Sequence, residues 1–107
     1  MGNQKQFSVN ILGAVYTIKI VKKHRYLVGD SSGATDVDKK EIYILKDTLC
    51  RKKTIRHEIL HAFLYESGLG WNTFTPSEPW AVNEEMVDWF AVQAPKICAV
   101  YEQLDLL

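Results

Sequence analysis

Apolar residues recur at every second position early in the chain: Phe7, Val9 and Ile11, then Tyr16, Ile18 and Ile20, with polar or small residues mostly between them. A period of two sends each set to one face of a strand, and Gly13-Ala14 marks a turn, so residues 7 to 22 read as a β-hairpin with one apolar face. Gly29-Asp30-Ser31-Ser32-Gly33 is dense in turn formers and reads as an exposed loop. A second hairpin follows: Ala34 to Val37, a turn at Asp38-Lys39-Lys40, then Glu41 to Leu45 with Ile42 and Ile44 on one face.

The period then lengthens. Asp47 can cap a helix from about Thr48 to Ser67, with Gly68 or Gly70 as its stop. At about 100° per residue, Ile55, Ile59, Ala62 and Phe63 fall on one apolar face. His57 and His61 project from roughly the opposite side, flanked by Leu60 and Leu64, so this helix is expected to be covered on two sides. Residues 68 to 79 mix glycine, proline and aromatics and read as a loop. A second helix begins near Pro79, capped by Ser77 or Glu78, and runs to about Gln93. Pro95 should break or kink it, leaving a short final helix over "KICAVYEQL". The fold class is α+β: a small antiparallel or mixed sheet of about four strands, packed on two helices, with a short C-terminal helix. No repeat or linker divides the 107 residues, which form one domain.

Composition changes this picture little. Thirteen basic residues balance thirteen acidic ones, so nothing in the net charge favours nucleic acid or an anionic membrane. Apolar runs fall well short of the roughly 18 residues that a membrane helix needs, and Met1 to Gln6 has no apolar signal core, which points to the cytosol. Cys50 and Cys98 lack C-x-x-C spacing and read as small buried apolar residues. Trp71, Phe74, Trp80, Trp89 and Phe90 read as core or interhelix packing. His24 and the basic stretches Lys22 to Arg25 and Arg51 to Arg56 read as solvated surface.

Candidate chemistry lies in the first helix, at Arg56-His57-Glu58-Ile59-Leu60-His61-Ala62. Histidines at i and i+4 share a helix face one turn apart, close enough to bind one Zn²⁺, and Glu58 sits where it can reach a water on the metal. A catalytic zinc site takes a third protein ligand and leaves the fourth position open. The continuation after His61 has Leu64 and Ser67 where the longer H-E-x-x-H-x-x-G-x-x-H pattern needs glycine and histidine, which speaks against metzincins and against the three-histidine bacterial RNA-processing proteins that share the pattern. On the second helix Glu84 and Asp88 share a face, with Glu85 turned away. If that face meets the histidines, Glu84 completes a His₂Glu set and Asp88 accepts the ring N–H of a ligand histidine.

His57-Glu58-x-x-His61, followed 22 residues later by Asn83-Glu84-x-x-x-Asp88, resembles the gluzincin pattern of thermolysin. With Phe90-Ala91 after the second-helix glutamate, it is most similar to small bacterial and phage proteins of the SprT-like and ImmA/IrrE-like minimal metallopeptidase type. The resemblance spans roughly residues 34 to 98. It implies a zinc-dependent, zincin-like peptidase with one Zn²⁺ per chain, His57, His61 and Glu84 as ligands, and Glu58 as general base. It also implies that the edge of Gly33 to Val37 receives an extended peptide or protein substrate. His24, Tyr26, Tyr43 and Tyr65 are candidates, by residue type, for steadying the tetrahedral intermediate.

Two other functions compete with hydrolysis. One is a non-catalytic, zinc-stabilised interaction module of a phage or mobile element, acting on a regulator or host protein. The other, a zinc nuclease or nucleic-acid-associated protease, draws on Arg51-Lys52-Lys53 and Arg56 and is opposed by the zero net charge.

Overall fold

The computed structural model describes residues 5–71 and 78–107. Strands β1 (Lys5–Ile11) and β2 (Ala14–Val21) form the expected first hairpin. Its turn falls on Leu12-Gly13 instead of Gly13-Ala14: both carry positive φ, 53° and 94°, the twist a two-residue hairpin turn requires. Asn10 Oδ1 accepts the Gly13 N–H at 2.8 Å and closes it.

β3 (Gly33–Asp36) and β4 (Glu41–Leu45) form the second hairpin, and Asp36 Oδ1 accepts the Lys39 N–H in its turn. β4 pairs in parallel with β2, giving a mixed sheet in the order β1-β2-β4-β3 with β3 at one edge, unpaired on its outer side among the described residues. Most of the residues that the period of two selects point inward: Ile11, Tyr16, Ile18, Ile20, Ile42 and Ile44 form the core with Ala62 and Val9 packs against it, whereas Phe7, at the start of β1, is exposed.

Helix α1 (Arg51–Glu66) lays Ile55, Ile59 and Ala62 on that core. Phe63, expected on the same face, is 39% exposed. His61, turned away from that core, and Glu58, one turn before Ala62, are also buried, so α1 is covered on more than one side. Asp47 does not cap α1. Residues 46 to 50 form turns that bring the chain off β4, and Cys50 takes the N-cap position with no side-chain bond. At the other end Gly68 is the stop: its φ of +83° lets its N–H reach the Tyr65 carbonyl while the Leu69 N–H reaches that of Leu64.

The second helix begins later than the proline implied. Pro79 leads a single 3₁₀ turn (Trp80–Val82), and α2 (Glu84–Gln103) starts at Asn83, whose Oδ1 accepts the Met86 N–H at 2.9 Å. Of the expected caps, Glu78 is not used and Ser77 lies outside the described residues. α2 also runs unbroken through Pro95, so there is no separate C-terminal helix. Proline removes the N–H that would bond to the Ala91 carbonyl. Arg56 Nε, reaching across from α1, donates to that carbonyl at 2.7 Å instead. Arg56 therefore joins the two helices and is not a free surface charge.

Both cysteines are exposed, as are Trp71, Trp80, Trp89 and Phe90, against the expectation of burial; Phe74 lies outside the described residues. His24 is half-buried, stacked on Tyr43 at 3.7 Å between ring centroids. No helix among the described residues is long and apolar enough to cross a membrane.

Candidate metal centre

Contact between α1 and α2 brings His57, His61 and Glu84 together. The one-turn spacing of the histidines sets their Nε2 atoms 3.2 Å apart, and Glu84 Oε1 lies 2.9 Å from the first and 3.1 Å from the second. Glu84 can reach both because it occupies the first residue of α2, directly after the Asn83 cap, at the end pointing toward the histidines.

The outer nitrogens determine what the inner ones can do. His61 Nδ1 lies 2.6 Å from the Ala81 carbonyl, which only accepts, so Nδ1 carries the proton. His57 Nδ1 lies 3.2 Å from Asp88 Oδ1 and is held in the same tautomer. In the neutral rings both Nε2 atoms then present lone pairs, and with the Glu84 carboxylate they form three acceptors converging without a donor. Such a cluster calls for protons on the imidazoles or for a cation. The separations of 2.9–3.2 Å are hydrogen-bond lengths and also lie close to the ligand–ligand edge of about 3.3 Å in a tetrahedral zinc site with bonds of roughly 2.0–2.1 Å. Among the described residues these three could hold a metal ion, with the three ligand atoms all within 4.8 Å of one another.

Asp88 is shared. Its Oδ1 also meets Lys53 Nζ at 2.7 Å, and Lys53, ahead of His57, holds the carboxyl below the ordinary aspartate range. Lys53 and His57 are four residues apart on α1, so one carboxylate steadies both.

Glu58 lies beside the cluster, on the side facing the sheet edge. It is 6% exposed, and burial pushes its carboxyl above the usual range, opposed by a hydrogen bond from Thr35 and by the nearby histidines. Thr35 Oγ1, on β3, lies 2.8 Å from Glu58 Oε1 and 3.1 Å from the Glu58 carbonyl. Gly33, two residues back on the same face of β3, leaves room for that side chain: a Cβ there would stand 2.9 Å from Glu58 Cγ and 3.1 Å from Oε2. A side chain at position 33 would crowd the Glu58 stem and the Thr54 methyl, which explains a glycine at the start of an otherwise ordinary strand.

A cavity of about 250 Å³ opens over these groups, lined by β3, Glu58, His61, Tyr65, Val82 and Glu84. It shares Ala34, Thr35 and Tyr65 with a larger groove of about 820 Å³ that runs past the β3–β4 turn to Trp71. Of the four residues considered for steadying an intermediate, Tyr65 alone lines the cavity. Its ring is packed against Gly70, where a Cβ would come within 2.6 Å of it. Tyr43 bonds to Glu41 and stacks with His24, and Tyr26 lines only the outer groove.

The sequence named every residue of the cluster. It did not reveal the Ala81 carbonyl or the bond from Thr35 to Glu58: a backbone carbonyl carries no sequence signal, and Thr35 had significance only as part of a strand. The glycine at 33 was the one available hint of close approach. Protein-family models, curated proteins and solved structures offer no match to this chain, so the reading of its function rests on the geometry of these residues.

Proposed function

We propose that the protein is a zinc-dependent hydrolase of peptide bonds, built as a minimal gluzincin-like metallopeptidase. The observation that carries this reading is the pairing of a three-acceptor cluster, His57, His61 and Glu84, with a buried carboxylate, Glu58, that faces the same cavity without joining the cluster. A structural metal site needs only the cluster; a hydrolase also needs the base.

Zinc in such a site acidifies a bound water and polarises a carbonyl oxygen. The remaining functions belong to the chain. Asp88 and the Ala81 carbonyl hold the two imidazoles with their Nε2 lone pairs inward. Glu58 accepts the proton of the attacking water and passes it to the leaving amine, a transfer favoured by a carboxyl that burial raises above its ordinary value. Thr35 fixes Oε1 of that carboxylate, and Gly33 leaves space around Oε2. The outer edge of β3 beside the cavity, unpaired among the described residues, accepts an extended peptide as a further strand, and the adjoining groove takes its side chains. Tyr65 supplies a hydroxyl at the cavity for the negative charge that develops on the attacked carbonyl.

Glu58→Gln preserves the shape of the site and removes the base. The variant should bind zinc as the wild type does and lose on the order of 10²–10⁴-fold in peptide cleavage. The measurement is a comparison of new protein N-termini in cells expressing each form. Termini that appear equally with both forms exclude Glu58 as the base; full biological effect from Glu58→Gln, without new termini, would leave a metal-stabilised interaction module in place of an enzyme.

A further inference from the structure

The zero net charge of the chain conceals a local imbalance. The cavity over the metal centre shares Ala34, Thr35 and Tyr65 with the groove of about 820 Å³ on one side, and Val82 and Glu84 with a further cavity of about 480 Å³ on the other. The three form one cleft with the metal ligands near its middle. Among the described residues that line it are six carboxylates, Asp36, Asp38, Glu58, Glu78, Glu84 and Glu85, against one lysine, Lys39, and no arginine.

Glu58 and Glu84 belong to the metal centre, where a divalent ion offsets both charges. That leaves Asp36 and Asp38 in the groove and Glu78 and Glu85 at the other end. None of these four forms an ion pair among the described residues. Exposed carboxylates are common on any surface, but two further features of the cleft point to a ligand. Glu58, 6% exposed and on the wall of the central cavity, has a hydrogen bond at Oε1 and none at Oε2 among the described residues, so a buried acceptor stands ready there. In the groove that holds the two aspartates, Trp71 is 70% exposed and offers a ring face to a cation. Tyr26, which lines the same groove, already carries the Arg25 guanidinium at 5.1 Å from its ring centroid.

We propose that the cleft selects an extended peptide segment with lysine or arginine side chains on both sides of the bond to be cut. The inference rests on the peptidase reading above and names its substrate class. Residues of a strand added to β3 stand about 3.3 Å apart, so side chains two or three positions from a bond held beside Thr35 and Glu58 come level with Asp36 and Asp38. A cation there meets two carboxylates and the Trp71 ring, with Lys39 offsetting part of the charge. On the far side of Glu84 a cation meets Glu78 and Glu85. An acidic segment is repelled along the whole cleft. Each exposed pair contributes up to about fivefold in affinity, less as salt rises.

Digestion of a degenerate library of short peptides by the zinc-loaded protein, read by mass spectrometry, tests the selection. Lysine and arginine should be enriched on both sides of the cut, and aspartate and glutamate depleted. Asp36→Asn with Asp38→Asn keeps the side-chain oxygen that accepts the Lys39 N–H and should abolish the enrichment on one side only. Glu78→Gln with Glu85→Gln should abolish it on the other. In parallel, fluorescence anisotropy compares a peptide carrying lysines on both sides of its centre with its glutamine counterpart, each bound to zinc-loaded Glu58→Gln. The lysine peptide should bind on the order of tenfold tighter at low salt and lose most of that lead at about 0.5 M salt. Cuts flanked by other residues, or a basic preference untouched by the four substitutions, overturn the selection and leave hydrolysis standing. A lysine preference in binding without any cut peptide removes the hydrolase and leaves the cleft as a site for basic segments. Equal binding of the two peptides with no cleavage overturns both.

Discussion

Glu66, at the end of α1, accepts from Lys40 Nζ at 2.6 Å and from Tyr16 Oη at 2.7 Å, tying the helix to the β3–β4 turn and to the first half of β2. Both bonds favour the charged carboxylate, and its pKa falls below the ordinary 4.5, with Lys40 the larger cause and Tyr16 the next. A carboxyl depressed by folding stabilises the native state above its unfolded pKa, and that contribution disappears as the pH drops through the lower, folded value. The wild-type melting temperature should therefore fall as the pH is lowered from about 5 through the acid range, and Glu66→Gln should flatten that fall while lowering stability at pH 7. Thermal melts at a series of pH values decide it; identical acid profiles for the two proteins would remove Glu66 from the account. Burial and Glu66 together raise the Tyr16 phenol far above its usual range, so Tyr16 stays a neutral donor throughout.

Between elements, the contact with most bearing on the metal centre is the one from Arg56 to the Ala91 carbonyl. It lies along the α1–α2 contact that also sets Glu84 against the histidines, and it stands where Pro95 withholds a helix donor. Arg56→Met leaves the carbonyl of Ala91, a residue only 2% exposed, without this donor, and should cost about 1–3 kcal/mol in urea unfolding. Pro95→Ala returns a backbone N–H to the same acceptor. In the Arg56→Met background it should recover part of the loss, giving a coupling on the order of 1 kcal/mol in a double-mutant cycle. Strictly additive effects would show that the arginine and the proline do not serve one carbonyl.

At the scale of the molecule, the metal ligands span the interface between α1 and α2, so an ion bound there favours only the folded arrangement of the two helices. On the zinc reading proposed above, free zinc at about 100 times its Kd adds about 2.7 kcal/mol to stability. For a chain of this size that is a rise in Tm of roughly 10–20 °C, reversed by a chelator. His61→Ala should abolish the rise and Glu58→Gln should not, because only the first removes a ligand. A Tm indifferent to zinc would count against a bound metal.

The sequence by itself determined the two hairpins, the two principal helices and the identities of the cluster residues. Alternation, helical spacing and the pairing of His57 with His61 are local properties, written within a few residues of one another. Its errors arose where a local rule met a distant partner. Pro95 should end a helix, but Arg56, 39 positions away, supplies the missing donor. Five aromatics and two cysteines read as buried by residue type, yet those within the described residues are exposed, because burial depends on what the chain has available to cover them. The mixed sheet order, the place of β3 at the sheet edge, the Thr35 hydroxyl on Glu58 and the Ala81 carbonyl on His61 were decided only by tertiary structure. The pairing of β2 with β4 and the two hydrogen bonds each join residues separated by 20 or more positions, through a backbone path that no local pattern encodes.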